Sequence, residues 1–297
     1  MCGSRRRCRR PEPPEPDMTH GLSATLTVVG AGTLLPDPHR GSSAFHLEVA
    51  GPLAHRVLMD VGPGTLHGLP RAGVDWRSID TVALTHFHPD HMSDLPPLLA
   101  AYRYVEADVP LNLVGPVGLR DRLDAMAALH GTWILAPSRP LTVVELSPGQ
   151  SWSAEDGSLL LEVHDTPHTP ESIAFRWTLG GDDHGPGRVV VGYTADTGPS
   201  EALATFLRGC QVVVAECALS DPPEMDTHLS PEGVAALARD ALPDLLLLSH
   251  VYPPQRPEAA VEAVGRGYPG RVAAARDGLK VRITPSGVTM ERREDDS

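Results

Sequence analysis

The chain has no long hydrophobic run, few cysteines, and a deficit of positive charge. Its longest unbroken apolar stretches are of the kind Leu245 to Leu248, far below the roughly 20 residues a helix needs to cross a bilayer, so the sequence predicts no transmembrane segment. Cys2, Cys8, Cys210 and Cys217 show neither a CxxC pair nor disulfide-like spacing, which fits a reducing cytoplasm. The formal net charge is −13, and Arg5, Arg6, Arg7, Arg9 and Arg10 crowd the N-terminus, leaving the remainder more acidic still. Proteins that grip long nucleic acid through many phosphates carry a basic face. RNA is therefore disfavoured as a partner. The arginines run into Pro11-Glu12-Pro13-Pro14-Glu15-Pro16 without an apolar segment, which reads as a disordered leader over 1–20 and not as an export signal, with Met18 an alternative start.

What is present is the composition of a loop-rich globular protein: 297 residues, 41% hydrophobic, with 28 Gly and 30 Pro. Leu22 to Val29, Ser43 to Val49 and Arg56 to Val61 are β-branched or alternating and end at glycine-rich breaks, so they predict strands. A helix is expected from Thr65 to Ala72. Another is expected over Met92 to Val105, kinked or delayed by Pro96-Pro97. Leu111 to Val114 follows as a strand, and Val117 to Leu129 as a helix with Leu119, Leu123, Met126, Ala127 and Leu129 available for one face. The second half predicts strands at Leu159 to His164, Ile173 to Thr178, Arg188 to Tyr193, Gln211 to Glu216 and Asp244 to Ser249, with helices near Pro199 to Leu207 and Pro231 to Leu242. Strands dominate early and alternate with helices late, which suits an α/β (α+β) fold: a four-layer αββα sandwich over 21–294 as one domain.

Thr85-His86-Phe87-His88-Pro89-Asp90-His91 places three histidines and an aspartate directly after the apolar stretch Ile79 to Leu84. Neutral imidazole and carboxylate are ligands that zinc accepts, and offsets of two along an extended segment fall on one side, so one short run can supply most of a metal shell. Five later segments complete a pattern: His168-Thr169-Pro170-Glu171-Ser172, Tyr193-Thr194-Ala195-Asp196-Thr197-Gly198-Pro199, Ala215-Glu216-Cys217, Thr227-His228-Leu229-Ser230, and Leu248-Ser249-His250.

In order and local context these segments resemble the metallo-β-lactamase-fold metallohydrolases, and among them the ribonuclease Z-like branch. The resemblance implies a binuclear centre of two Zn2+ ions, with Mn2+ as the alternative. His86, His88 and His168 would hold one ion, Asp90, His91 and His250 the other, and Asp196 would bridge both. It implies that Asp90 orients the attacking water and that Glu216 and His228 form a pair protonating the departing oxygen. A carboxylate holding an imidazole in its charged form is a sensible general acid for an alkoxide. His164 competes with His168, and the following Thr-Pro-Glu-Ser favours His168. Asp60, before Val61-Gly62-Pro63-Gly64, reads either as a turn-initiating residue or as support for His86 or its neighbours. The remaining histidines read as surface or core residues.

Transfer-RNA-processing members of that branch carry a long basic arm between the positions matching His168 and Asp196. Here the interval holds Gly180-Gly181-Asp182-Asp183-His184-Gly185-Pro186-Gly187, an expected tight acidic turn with no room for an arm. The reading is thus a metal-dependent phosphodiesterase acting on small phosphodiesters such as cyclic nucleotides. The alternatives are a ribonuclease Z that processes transfer-RNA 3′ ends, a hydrolase of lactones, β-lactams or thioesters on the same metals, and a binding protein with a vestigial site. The branch commonly forms dimers, so a homodimer is the implied assembly.

Overall fold

The computed structural model describes residues 21–50, 54–105, 109–180 and 187–291. The expected leader and most of the expected acidic turn at Gly180 to Gly187 lie outside those residues. The chain begins with strands β1 (Ser23–Gly30), β2 (Ala44–Ala50) and β3 (Arg56–Met59), followed by α1 (Thr65–Arg71), β4 (Thr81–Ala83), α2 (Pro89–Met92), α3 (Leu95–Tyr102), β5 (Leu111–Pro116), α4 (Leu119–His130) and β6 (Leu141–Leu146). It continues with β7 (Ser151–Ser153), β8 (Leu159–Asp165), β9 (Ile173–Leu179), β10 (Val189–Tyr193), α5 (Glu201–Phe206), β11 (Val212–Glu216), α6 (Pro231–Ala241), β12 (Leu245–Ser249), α7 (Pro257–Gly267), β13 (Val272–Ala274), β14 (Lys280–Thr284) and β15 (Gly287–Met290).

Two sheets result, in the orders β15-β14-β1-β2-β3-β4-β5-β6 and β13-β12-β11-β10-β9-β8-β7. Their inner faces share one apolar core, in which Leu26, Phe45 and Val57 from the first sheet meet Phe175, Trp177, Val214 and Leu247 from the second. The outer face of the first sheet buries Leu58, Val82 and Leu113 against Leu69, Leu98 and Leu123 of its helices. That of the second buries Val213, Leu246 and Leu248 against Leu203, Val234, Ala238 and Val264. The layers are helix, sheet, sheet, helix, as the element order predicts. Strands buried on both faces read as continuous apolar runs, hence Val212 to Ala215 and Leu245 to Leu248 in parallel register. Strand β8 lies nearer an edge and alternates, with Leu159, Leu161 and Val163 buried and Leu160, Glu162 and His164 half-buried.

Three expectations need correction. The helix expected from Met92 to Val105 starts late and ends early, as α3 from Leu95 to Tyr102, because Pro96 and Pro97 fit its first turn, where no backbone N–H is required. Leu129, expected on the buried face of α4, is 78% exposed. Leu119, Leu123 and Ala127 take that face instead, and at 100° per residue Leu129 points away from it. Strands β6, β7 and β13 to β15 and helix α7 were not anticipated, although Pro257 and Glu258 form a readable helix start. The Cys210 and Cys217 thiols are free and buried.

His46 on β2 stands opposite Thr27 and Leu58. It is 2% exposed, and its Nε2 has no partner. Burial, reinforced by Arg56 and Lys280, pushes its imidazole down from 6.5 to about 4. Above 6.5 the ring is neutral in both folded and unfolded chains and pH has no effect through it. Below that value only the unfolded chain gains the proton, so stability falls until the folded ring titrates. Between about pH 7.5 and about pH 5 the stability of His46→Gln relative to the parent should rise by roughly 2 kcal/mol, measured by urea unfolding. A pH-independent difference would contradict this account.

Candidate metal centre

Every candidate side chain leaves the carboxyl end of a strand or the loop after it. His86, His88, Asp90 and His91 follow β4, His168 follows β8, Asp196 follows β10, Glu216 ends β11, and His250 follows β12. Crevices beyond the carboxyl ends of strands are where open sheets expose loop side chains to a common space. Asp60, Ala195 and His250, each just past a strand, adopt left-handed backbone with φ of 57°, 54° and 56°. That conformation costs a non-glycine residue about 1–2 kcal/mol, and it turns the chain abruptly at the rim. Pro89 starts α2, whose single turn carries Asp90 and His91 inward. A Cβ on Gly62 would lie 2.0 Å from the Asp90 carbonyl oxygen, so only glycine lets the two loops meet there.

The side chains converge on Asp196. Its Oδ2 lies 4.0 Å from His86 Nε2 and 3.8 Å from His168 Nε2, and its Oδ1 lies 3.4 Å from His91 Nε2 and 3.6 Å from His250 Nδ1. His88 Nδ1 is 3.0 Å from His168 Nε2, and His250 Nε2 is 3.0 Å from Asp90 Oδ2. Two groups share Asp196, namely His86, His88 and His168 with it and Asp90, His91 and His250 with it, while a third brings Glu216 and His228 to His250. The structure thus brings His86, His88, Asp90, His91, His168, Asp196 and His250 to one place.

Outer hydrogen bonds orient several rings. His91 Nδ1 donates to Asp60 Oδ2 at 2.7 Å, His168 Nδ1 to the Thr227 carbonyl at 3.1 Å, and His86 Nδ1 to Thr85 Oγ1 at 3.0 Å. Each bond places the proton on Nδ1 and leaves the Nε2 lone pair facing inward, the arrangement metal-binding imidazoles require. Asp60, left open between two readings by the sequence, supports His91 and also accepts from the Thr85 backbone N–H at 2.8 Å and the Tyr193 hydroxyl at 2.9 Å. Burial opposes charge on Asp196, but His250, His91 and His86 hold its carboxyl well below the usual carboxylate range. Burial also resists a proton on His91, yet Asp196 and Asp60 outweigh it and raise that imidazole well above its ordinary value. Carboxylates that favour a proton there favour a divalent cation equally.

The donor set fits metal ions. His86 Nε2, His91 Nε2 and His250 Nδ1 are buried without a hydrogen-bond partner, and a buried polar atom so placed costs about 1–3 kcal/mol. Three such atoms aimed at one carboxylate, with two further imidazole nitrogens facing each other, make a cradle for cations.

Beside it stands a second arrangement. The buried Glu216 carboxylate accepts from Thr197 N at 2.7 Å, Ala218 N at 3.1 Å and His228 Nδ1 at 2.8 Å. Burial pushes the Glu216 carboxyl up while the His228 bond pulls it down. For His228, burial disfavours the charged ring, and Glu216 more than compensates, raising its imidazole. The His228 ring packs 4.7 Å from His168 and stacks at 6.0 Å on His250. Ser230 caps α6 through its hydroxyl, accepting from Gly233 N, and so anchors the loop carrying His228. His164 instead bonds the Asp165 carbonyl at 2.8 Å and stands apart from the cluster. Tyr193, Thr85 and Thr227 stand inside the motif segments but carry no role that the sequence assigns: Tyr193 and Thr227 meet their partners across the fold, and Thr85 joins its neighbour His86 to the distant Asp60.

A model of the Beta-lactamase superfamily domain matches residues 55–251. The chain is a metallo-β-lactamase superfamily hydrolase. The matched span contains each member of the two groups above. This metal-dependent hydrolase is 28% identical over 287 residues to a protein named ribonuclease Z from Mycobacterium sp. (strain KMS), covering 88% of this chain and 96% of that one. Its fold is similar to that of the metallo-beta-lactamase fold protein YhfI from Bacillus subtilis, at a TM-score of 0.73 and 21% identity over 88% and 99% of the two chains. It is similar as well to the human tRNase Z, short form, at a TM-score of 0.68 and 23% identity over 86% and 98%. Among the described residues, no helix is long and apolar enough to cross a membrane.

Proposed function

We propose that this hydrolase is a binuclear zinc phosphodiesterase of ribonuclease Z-like type acting on small phosphodiesters, cyclic nucleotides among them. His86, His88 and His168 would hold one ion, Asp90, His91 and His250 the other, and Asp196 would face both; Mn2+ is the alternative to Zn2+. When bound, such a pair supplies Lewis-acid activation of water and neutralises charge on the phosphoryl group. Asp90 Oδ2, already 3.0 Å from His250 Nε2, accepts a hydrogen bond from the attacking water and orients it. Glu216 holds His228 by its Nδ1–H, which directs the protonated Nε2 away from the carboxylate and toward the departing oxygen. His228 then delivers its Nε2 proton as the phosphorus–oxygen bond breaks.

The observation that carries this reading is the Glu216–His228 pair set against the histidines of the centre. An alkoxide leaving a phosphodiester needs a proton, whereas an activated lactone or β-lactam does not depend on one from this quarter. The acidic balance of the chain favours small substrates over long polyanions. A specific observation supports ribonuclease Z as the second reading: relatives of that name are matched over nearly their full length. We place the enzyme in a reducing cytoplasm, and a homodimer is the assembly to test by sedimentation.

Purified protein loaded with Zn2+ or Mn2+ should hydrolyse bis(p-nitrophenyl) phosphate and cyclic nucleotides and leave a lactone and a cephalosporin intact. Faster cleavage of a precursor transfer RNA than of any small diester would install the second reading. Turnover confined to the carbonyl substrates would overturn both.

A further inference from the structure

The space next to His228 is bordered by a carboxylate, that of Glu224. A cavity of about 410 Å3 opens there, with His228 in its wall together with Leu219, Pro222, Glu224, Met225 and Tyr252; among the described residues its lining contains no lysine or arginine. His228 belongs both to this cavity and to the surroundings of the candidate centre, where its ring stacks at 6.0 Å on that of His250. Tyr252 continues the wall, edge-on to His250 at 5.3 Å.

We propose that this cavity receives the leaving alcohol of the phosphodiester and selects an uncharged, planar one, an aryl or nucleoside alcohol, over one that bears a further phosphate. The proposal rests on the phosphodiesterase reading above. A group that protonates the leaving oxygen must lie within about 2.6–3.2 Å of it, so the departing fragment extends into the space that His228 borders. There it meets the Tyr252 ring and the adaptable Met225 thioether, surfaces that suit a flat apolar body. A second phosphate in the same place would find no lysine or arginine among the described residues and would face Glu224. Met225 is 49% exposed and Glu224 is exposed, so both side chains are at hand for an incoming group.

The test uses the full chain loaded with Zn2+ and a dinucleoside monophosphate, compared with its two forms that carry one extra phosphate at either end. Product analysis identifies which nucleoside leaves. The form with the extra phosphate on that nucleoside should lose roughly tenfold or more in kcat/KM, mainly through KM, because a like charge is brought close to Glu224 without compensation. Glu224→Lys and, separately, Met225→Lys should return the ratio toward one, and both positions are exposed enough that either variant reports even if the other misfolds. Equal kcat/KM for the two phosphorylated forms, or a ratio that neither variant moves, would overturn this inference while leaving the phosphodiesterase reading intact. Absence of cleavage of every phosphodiester would instead sink that reading, and this inference with it.

Discussion

Asp196→Ala should abolish turnover and strip the protein of bound metal. Asp196 is the one residue shared by both groups of candidate ligands, and four imidazole nitrogens lie within 4.0 Å of its two oxygens. Removing it withdraws the negative charge that offsets two cations and leaves the lone pairs of His86, His91 and His250 without the carboxylate they face. Loss of an outer hydrogen-bond partner alone typically lowers metal affinity about 10- to 100-fold, and deleting a shared carboxylate should exceed that. His88→Ala and His250→Ala should weaken one half of the centre each. Elemental analysis of the purified variants, paired with the rate on bis(p-nitrophenyl) phosphate, is the measurement. Full metal content and full rate in Asp196→Ala would refute the assignment of the centre.

His228→Ala should behave differently, with metal retained and phosphodiester cleavage reduced by the roughly 10²- to 10⁴-fold that loss of a general acid brings. The distinction follows from geometry, because His228 bonds Glu216 at 2.8 Å and only packs against His168 and His250. A leaving group that needs little protonation supplies the control. The loss should be smallest for a p-nitrophenyl ester and largest for an alkyl ester, since only the alkoxide depends on the proton. An equal loss on both esters would assign His228 to the positioning of its neighbours, and an unchanged rate would remove the acid pair altogether.

Much of this was legible along the chain because the relevant signals are local. The strand runs Val212 to Ala215 and Leu245 to Leu248 announce strands buried on both faces, and the layered order of elements followed from burying such strands under helices such as α6. The compact run from His86 to His91 displays its chemistry in six consecutive positions. Where local signals conflicted the outcome was decided by packing. Pro96 and Pro97 deferred a helix to the point where their missing N–H groups cost nothing, and Leu129 lost its place on a helix face that Leu119, Leu123 and Ala127 already filled.

By itself, the order of residues determined which side chains have the chemistry to hold cations and that a sheet-and-helix sandwich would carry them, since ligand type and apolar periodicity are properties of short segments. Only the tertiary structure decided that Asp60 grips His91 and Tyr193 together, how near Asp196 stands to the imidazoles around it, and that the wall around His228 has no lysine or arginine among the described residues. Those facts depend on left-handed turns at strand ends and on the distance between two sheets. Such distances come from the whole packed core and are written in no single segment.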